Sequence, residues 1–186
     1  MPRKSALSTV LIALLMLSVS NVRASEKQRA VYPSTAMLKQ IVIWLSANFD
    51  LPRILIYPNI EIVPRSEINA LSPGGFAWEV PRDIVGESQR GPLGEREVEA
   101  LYDDEMKTIY LPEGWTGSTA VEQSLLVHEM VHHLQDLGKL KYDCPQAREQ
   151  LAYAAQERWL GRSGRNLAGK FRIDPYTLAM STQCIY

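Results

Sequence analysis

Apolar residues recur along this chain first at helical spacing, then in short β-type runs, then at helical spacing again. Ser34 is placed as an N-cap, and Met37, Ile41, Trp44 and Leu45 follow on one face, which predicts a helix over Ala36 to Phe49 that ends before Pro52. Ile54 to Tyr57 and Ile60 to Val63 are rich in β-branched residues and are split by Pro58-Asn59, predicting one or two short strands. Residues 64–97 hold no sustained period and many Pro and Gly, the pattern of a long loop, with Phe76 and Trp78 available to dock it or line a cleft. Val98 to Tyr102 and Thr108 to Leu111 flank Asp103-Asp104-Glu105, which predicts a β-hairpin.

Ser118 or Thr119 then caps a helix expected to run to about Leu137 and stop at Gly138. Cys144-Pro145 opens another, to about Leu160, and Asp174-Pro175 starts a short last helix toward Cys184. Strands grouped before helices indicate an α+β domain: a small sheet with a hairpin, packed on the helix from 119.

The N-terminus reads as an address. Arg3 and Lys4 precede an apolar run from Ala6 to Val19, and Val22-Arg23-Ala24 resembles a cleavage site, so residues 1–24 are expected to be a secretory signal peptide. The run is too short for a comfortable permanent span, and the mature protein is expected to be periplasmic or secreted. Removing 24 of the 186 residues leaves 162, with 17 basic and 21 acidic side chains and a net charge near -4. The whole chain, at -1, has no basic excess to draw it to nucleic acid. In an oxidising compartment Cys144 and Cys184 are expected to pair, tying the C-terminal tail to the helix start at Pro145.

The candidate chemistry lies in the helix from 119. All three histidines of the chain are there: His128, His132 and His133. His128-Glu129-x-x-His132 is an H-E-x-x-H motif, and residues four apart lie about 40° apart on one helix face, so both imidazoles can reach one metal ion. Glu129 projects beside them in the general-base position of zinc peptidases. Val127, Met130, Val131, Leu134 and Leu137 stripe the other side, so the helix is buried and its histidines need partners. His133, about 100° round from His132, is expected at the surface or behind the ligands.

Two imidazoles and a carboxylate suit Zn2+, the expected cofactor. With no further histidine, and with Gln135 and Gly138 in place of the Gly and His of the longer motif, the third ligand is sought among acids of the next helix. Glu149 is favoured, Glu157 is the runner-up, and Asp143 stands at the helix start. Ala152 is small enough for close helix approach, and Tyr153 shares the face of Glu149. The competing fate of Glu149 is an ordinary surface pair with Arg148 or Lys141.

The hairpin, Leu126 to Gln135, and Glu149-x-x-Ala152-Tyr153 together resemble the gluzincin group of zincin-like metallopeptidases, and more closely uncharacterised exported bacterial domains built on this motif. The resemblance covers about residues 98–160. It implies a minimal zincin-like fold, ligands His128, His132 and Glu149, and Glu129 as base. Many gluzincins carry an aspartate four residues after the ligand glutamate; here that position is Tyr153, which could serve as an oxyanion donor or as a core tyrosine. The function implied is hydrolysis of a peptide or protein substrate by metal-activated water, with Thr108 to Leu111 as a docking edge. The alternatives are a catalytically inert zinc-binding structural or interaction domain, and a metal-free fold in which the histidines only hydrogen-bond.

Overall fold

The computed structural model describes residues 33–71 and 99–184, all within one unit spanning Val31–Tyr186. Residues 1–24, the expected signal peptide, lie outside the described residues, as do Phe76 and Trp78. The elements run α1 (Thr35–Phe49), β1 (Asn59–Val63), α2 (Arg65–Leu71), β2 (Leu101–Asp103), β3 (Thr108–Pro112), α3 (Ala120–Leu137), α4 (Pro145–Gly161), α5 (Leu167–Phe171) and α6 (Pro175–Thr182). The fold is mixed α+β: three strands and six helices among the described residues.

Local chemistry sets the helix ends. Ser34 Oγ accepts from the Met37 amide at the start of α1, and Asp50 leaves it in the left-handed region, two residues before Pro52. At α3, Thr119 and Glu122 form a reciprocal capping box, and the Trp115 indole donates to the Glu122 carbonyl. At its other end the left-handed residue is Lys139, not Gly138, whose φ is -76°. Leu140 N–H reaches back to the Gln135 carbonyl, as in a Schellman closure. Gly138 is needed for a different reason: a Cβ there would meet Pro52 Cγ at 2.9 Å.

The sheet has the order β1-β3-β2, with β1 parallel and β2 antiparallel to β3. The expected hairpin forms, and Asp103 Oδ1 accepts from the amides of Glu105 and Met106 in its turn. The expectation that Thr108 to Leu111 offers a free edge is overturned, because β3 is the central strand, bonded on both sides and buried throughout. Only the second β-type run pairs. Ile54 to Tyr57 stays outside the sheet, since both flanks of β3 are filled and ladder bonding starts only past Pro58, at Asn59 N–H to the Lys107 carbonyl. The expected loop from 64 is also corrected at its start. Arg65–Leu71 is a helix with one buried residue, Ile68, too few to show a period.

Side chains of β3 alternate between two clusters, as the period of 2 requires. Ile109 and Leu111 join Ile41, Val42 and Leu45 of α1, Leu126, Val127, Met130, Val131 and Leu134 of α3, and Ala152 and Ala155 of α4. Tyr110 faces the other way, onto Val63 and Ile68. Small residues at 152 and 155, both fully buried, let α4 lie close against α3. Cys144 and Cys184 are disulfide-bonded, fastening the end of α6 to the start of α4. Among the described residues no helix is long and apolar enough to cross a membrane.

Candidate metal centre

α3 presents His128 and His132 on the face turned to α4, and α4 returns Glu149 to the same point. His128 Nε2 lies 3.1 Å from Glu149 Oε2, and His132 Nε2 lies 3.2 Å from Glu149 Oε1. All three side chains are buried, and one donor atom from each lies within 4.8 Å of the others. The structure therefore brings His128, His132 and Glu149 together. Glu149 meets the imidazoles rather than Lys141 or Arg148, and Arg148 points to Asp104 instead, at 3.8 Å. Glu157 lies elsewhere, its carboxylate accepting from the Leu167 amide at the start of α5. Asp143 is exposed and outside the cluster.

The other ring nitrogens decide the protonation. His128 Nδ1 lies 3.1 Å from Gln156 Oε1, and His132 Nδ1 lies 3.0 Å from Gln135 Oε1. Each amide nitrogen is committed to an acceptor: that of Gln135 donates to the Arg148 carbonyl, and that of Gln156 to Ser124 Oγ. The Arg148 carbonyl only accepts, which turns the Gln135 oxygen to His132, whose Nδ1 then carries hydrogen; Ser124, while its hydroxyl donates to the Val121 carbonyl, favours the same arrangement at His128. Both Nε2 atoms turn toward carboxylate oxygens, which only accept. Acceptors buried at this distance need a hydrogen or a metal ion between them, and one ion shared by all three would meet both rings at once. A tetrahedral zinc site with arms of about 2.0–2.1 Å has edges of roughly 3.3–3.4 Å, close to the two nitrogen–oxygen separations here. The donor set and its spacing fit a divalent metal.

Without metal, the electrostatics are those of a buried ion pair. Burial alone would raise the Glu149 pKa, but the His132 charge and hydrogen bonds from both imidazoles outweigh it and hold the carboxyl well below its usual range. Burial would lower His132, and Glu149 outweighs that by charge and hydrogen bond, so the imidazole is raised. Glu129 goes the other way. Its burial raises the carboxyl, only partly offset by His128, His132 and a hydrogen bond with the backbone of Tyr102. Two neighbouring carboxyls are thus pushed apart, Glu149 held as an anion and Glu129 made easier to protonate.

Tyr153 follows Glu149 by one turn and sets its ring edge-on to His128, with centroids 4.7 Å apart. His133 is not at the surface. It is 1% exposed, its Nε2 donates to the Ile56 carbonyl, and its Nδ1 lies 3.2 Å from the Tyr102 hydroxyl. Burial lowers its pKa. The Tyr102 hydroxyl donates to Asp136, which also pairs with Lys107, so this network ties β2 to α3 beside the site. Gln135, Gln156 and Tyr102 escape a search for ligands. Gln135 could be found three residues after His132, and Gln156 two turns after Glu149, but an amide on a helix carries no distinctive sequence signal.

Residues 29–185, most of the chain, match one family model, described as a domain of unknown function (DUF6647). No curated protein and no solved structure matches the chain.

Proposed function

Because the chain belongs to the DUF6647 family, whose description assigns no activity, the site itself must suggest one, and we propose an exported zinc-dependent metallopeptidase of gluzincin-like design. One observation carries this reading: two imidazoles, each with Nδ1 beside a glutamine amide oxygen, aim both Nε2 atoms at one buried carboxylate, with Glu129 from the same motif alongside. His128, His132 and Glu149 would hold the metal. Bound zinc would supply a Lewis acid for the scissile carbonyl and would acidify a water toward neutral pH. Glu129 takes the water's proton and delivers it to the leaving amine, a task that its raised pKa suits. Tyr153, half-buried beside His128, is the proposed donor to the oxyanion. The disulfide supports an oxidising compartment, periplasmic or extracellular, and peptide or protein is the proposed substrate.

The near-complete burial of Glu129 and the three candidate ligands favours a second reading, a zinc-binding domain without turnover. The test is Glu129→Gln in zinc-loaded protein, assayed on a mixture of unstructured protein substrates. The peptidase reading expects wild-type cleavage, and a loss of about 10²–10⁴-fold in the variant at unchanged zinc content. Retained cleavage in the variant removes Glu129 from the mechanism. An inert wild type with full zinc occupancy selects the second reading.

A further inference from the structure

Both candidate ligand imidazoles are oriented by neutral amides, and these amides form a pair of opposed braces. Gln156, on α4, reaches across to His128 and Ser124, both on α3. Gln135, on α3, holds His132 in its own helix and donates to the Arg148 carbonyl on α4, the residue before Glu149. Each glutamine therefore does two things: it sets its amide oxygen against an imidazole Nδ1, and it bonds one ligand-bearing helix to the other. These bonds span the same two helices as the gap between the Nε2 atoms and the Glu149 carboxylate. Gln135 is 1% exposed and Gln156 is 3% exposed, so water is a poor substitute for either amide.

We propose that Gln135 and Gln156 are positioning residues that set the zinc affinity of this site, a role that rests on the zinc-site reading above. An amide oxygen accepts the imidazole hydrogen less strongly than a carboxylate, so the site sits below the affinity its three ligands could reach. Gln156 is the cleaner position to test this. A glutamate there would lose only the 3.4 Å bond to Ser124, whose hydroxyl can turn from the Val121 carbonyl and donate to the new carboxylate. At 135 a carboxylate would face the fixed Arg148 carbonyl.

The experiment is competition for Zn2+ against a chromogenic chelator, using the disulfide-intact chain as wild type, Gln156→Met, Gln156→Glu and Gln135→Met. Thermal unfolding of each metal-free form is the control for folding. Each Met variant is expected to bind zinc about 10–100-fold more weakly, and Gln156→Glu roughly tenfold more tightly. Imidazole ¹⁵N shifts should show His128 losing its fixed Nδ1–H tautomer in Gln156→Met while His132 keeps its own, which general loosening of the fold would not do. If Gln156→Met does not fold, Gln135→Met and Gln156→Glu make the same comparison. Equal affinity of a folded Met variant and wild type overturns the proposal, as does weaker zinc binding by Gln156→Glu than by wild type. A wild type that binds no zinc overturns the zinc reading itself, and this role with it.

Discussion

Replacing Glu149 with Gln separates the assembled site from a chance meeting of polar side chains. The substitution keeps the shape and removes the charge that both imidazoles face at 3.1 and 3.2 Å. In metal-free protein it leaves His132 as a buried cation without its partner, a loss of about 3–5 kcal/mol when a buried pair is broken from one side. At about 2–4 °C per kcal/mol for a domain of this size, the unfolding midpoint should fall on the order of 10 °C. The effect has a pH window. The Glu149 pKa is lowered from 4.5, so its contribution is present above that value and is lost as pH falls through the folded pKa. The His132 pKa is raised from 6.5, so its contribution is full below that value and is lost as pH rises through the folded pKa. The pair is therefore strongest between about 4.5 and 6.5. The midpoint difference between wild type and Glu149→Gln should be large at pH 6 and shrink in alkaline buffer. Zinc competes with the same protons, so wild-type affinity should climb with pH, and the variant should lose most of it. Glu157→Gln is the matched control, since that carboxylate bonds only the start of α5. Circular dichroism melts in chelator and zinc competition at pH 7.5 measure both effects. Like behaviour of the two variants, or loss of zinc by Glu157→Gln instead, refutes the pairing of Glu149 with the imidazoles.

Two further outcomes test the frame around the site. The disulfide closes a separation of 40 residues, worth about 4 kcal/mol on the loop-entropy model, so Cys144→Ser with Cys184→Ser should lower the unfolding midpoint and remove its sensitivity to reductant; a wild-type midpoint unmoved by reductant contradicts this. Tyr102→Phe removes the hydroxyl shared by Asp136 and His133 and should cost about 1–3 kcal/mol in denaturant unfolding, while zinc affinity is kept because that hydroxyl bonds none of the three candidate ligands; an unchanged stability shows that the network holds nothing.

What the sequence disclosed and what it hid follow from how each feature is encoded. α1, α3, α4 and the hairpin were legible because their signals are local: caps at Ser34 and Thr119, Pro145 at a helix start, an acidic turn between two apolar runs. The cluster of His128, His132 and Glu149 was legible because helical spacing fixes two members, and a shortage of histidine confines the third to acids on the next helix. The centre of the sheet was not legible. That β3 pairs with β1 as well as β2 depends on a parallel contact between segments far apart in sequence, and parallel pairing leaves no turn motif. The burial of His133, expected at the surface or behind the ligands, is hidden for a related reason. A helical wheel sees only its own helix, and His133 is buried by the Ile56 carbonyl and the Tyr102 hydroxyl, brought in from other segments. The glutamines were hidden differently. Gln135 was visible only as the residue where a longer motif has glycine, yet its amide links His132 to the backbone beside Glu149. A motif names the atoms that could touch a metal; the bonds that aim those atoms cross between α3 and α4, so only the packed pair of helices displays them.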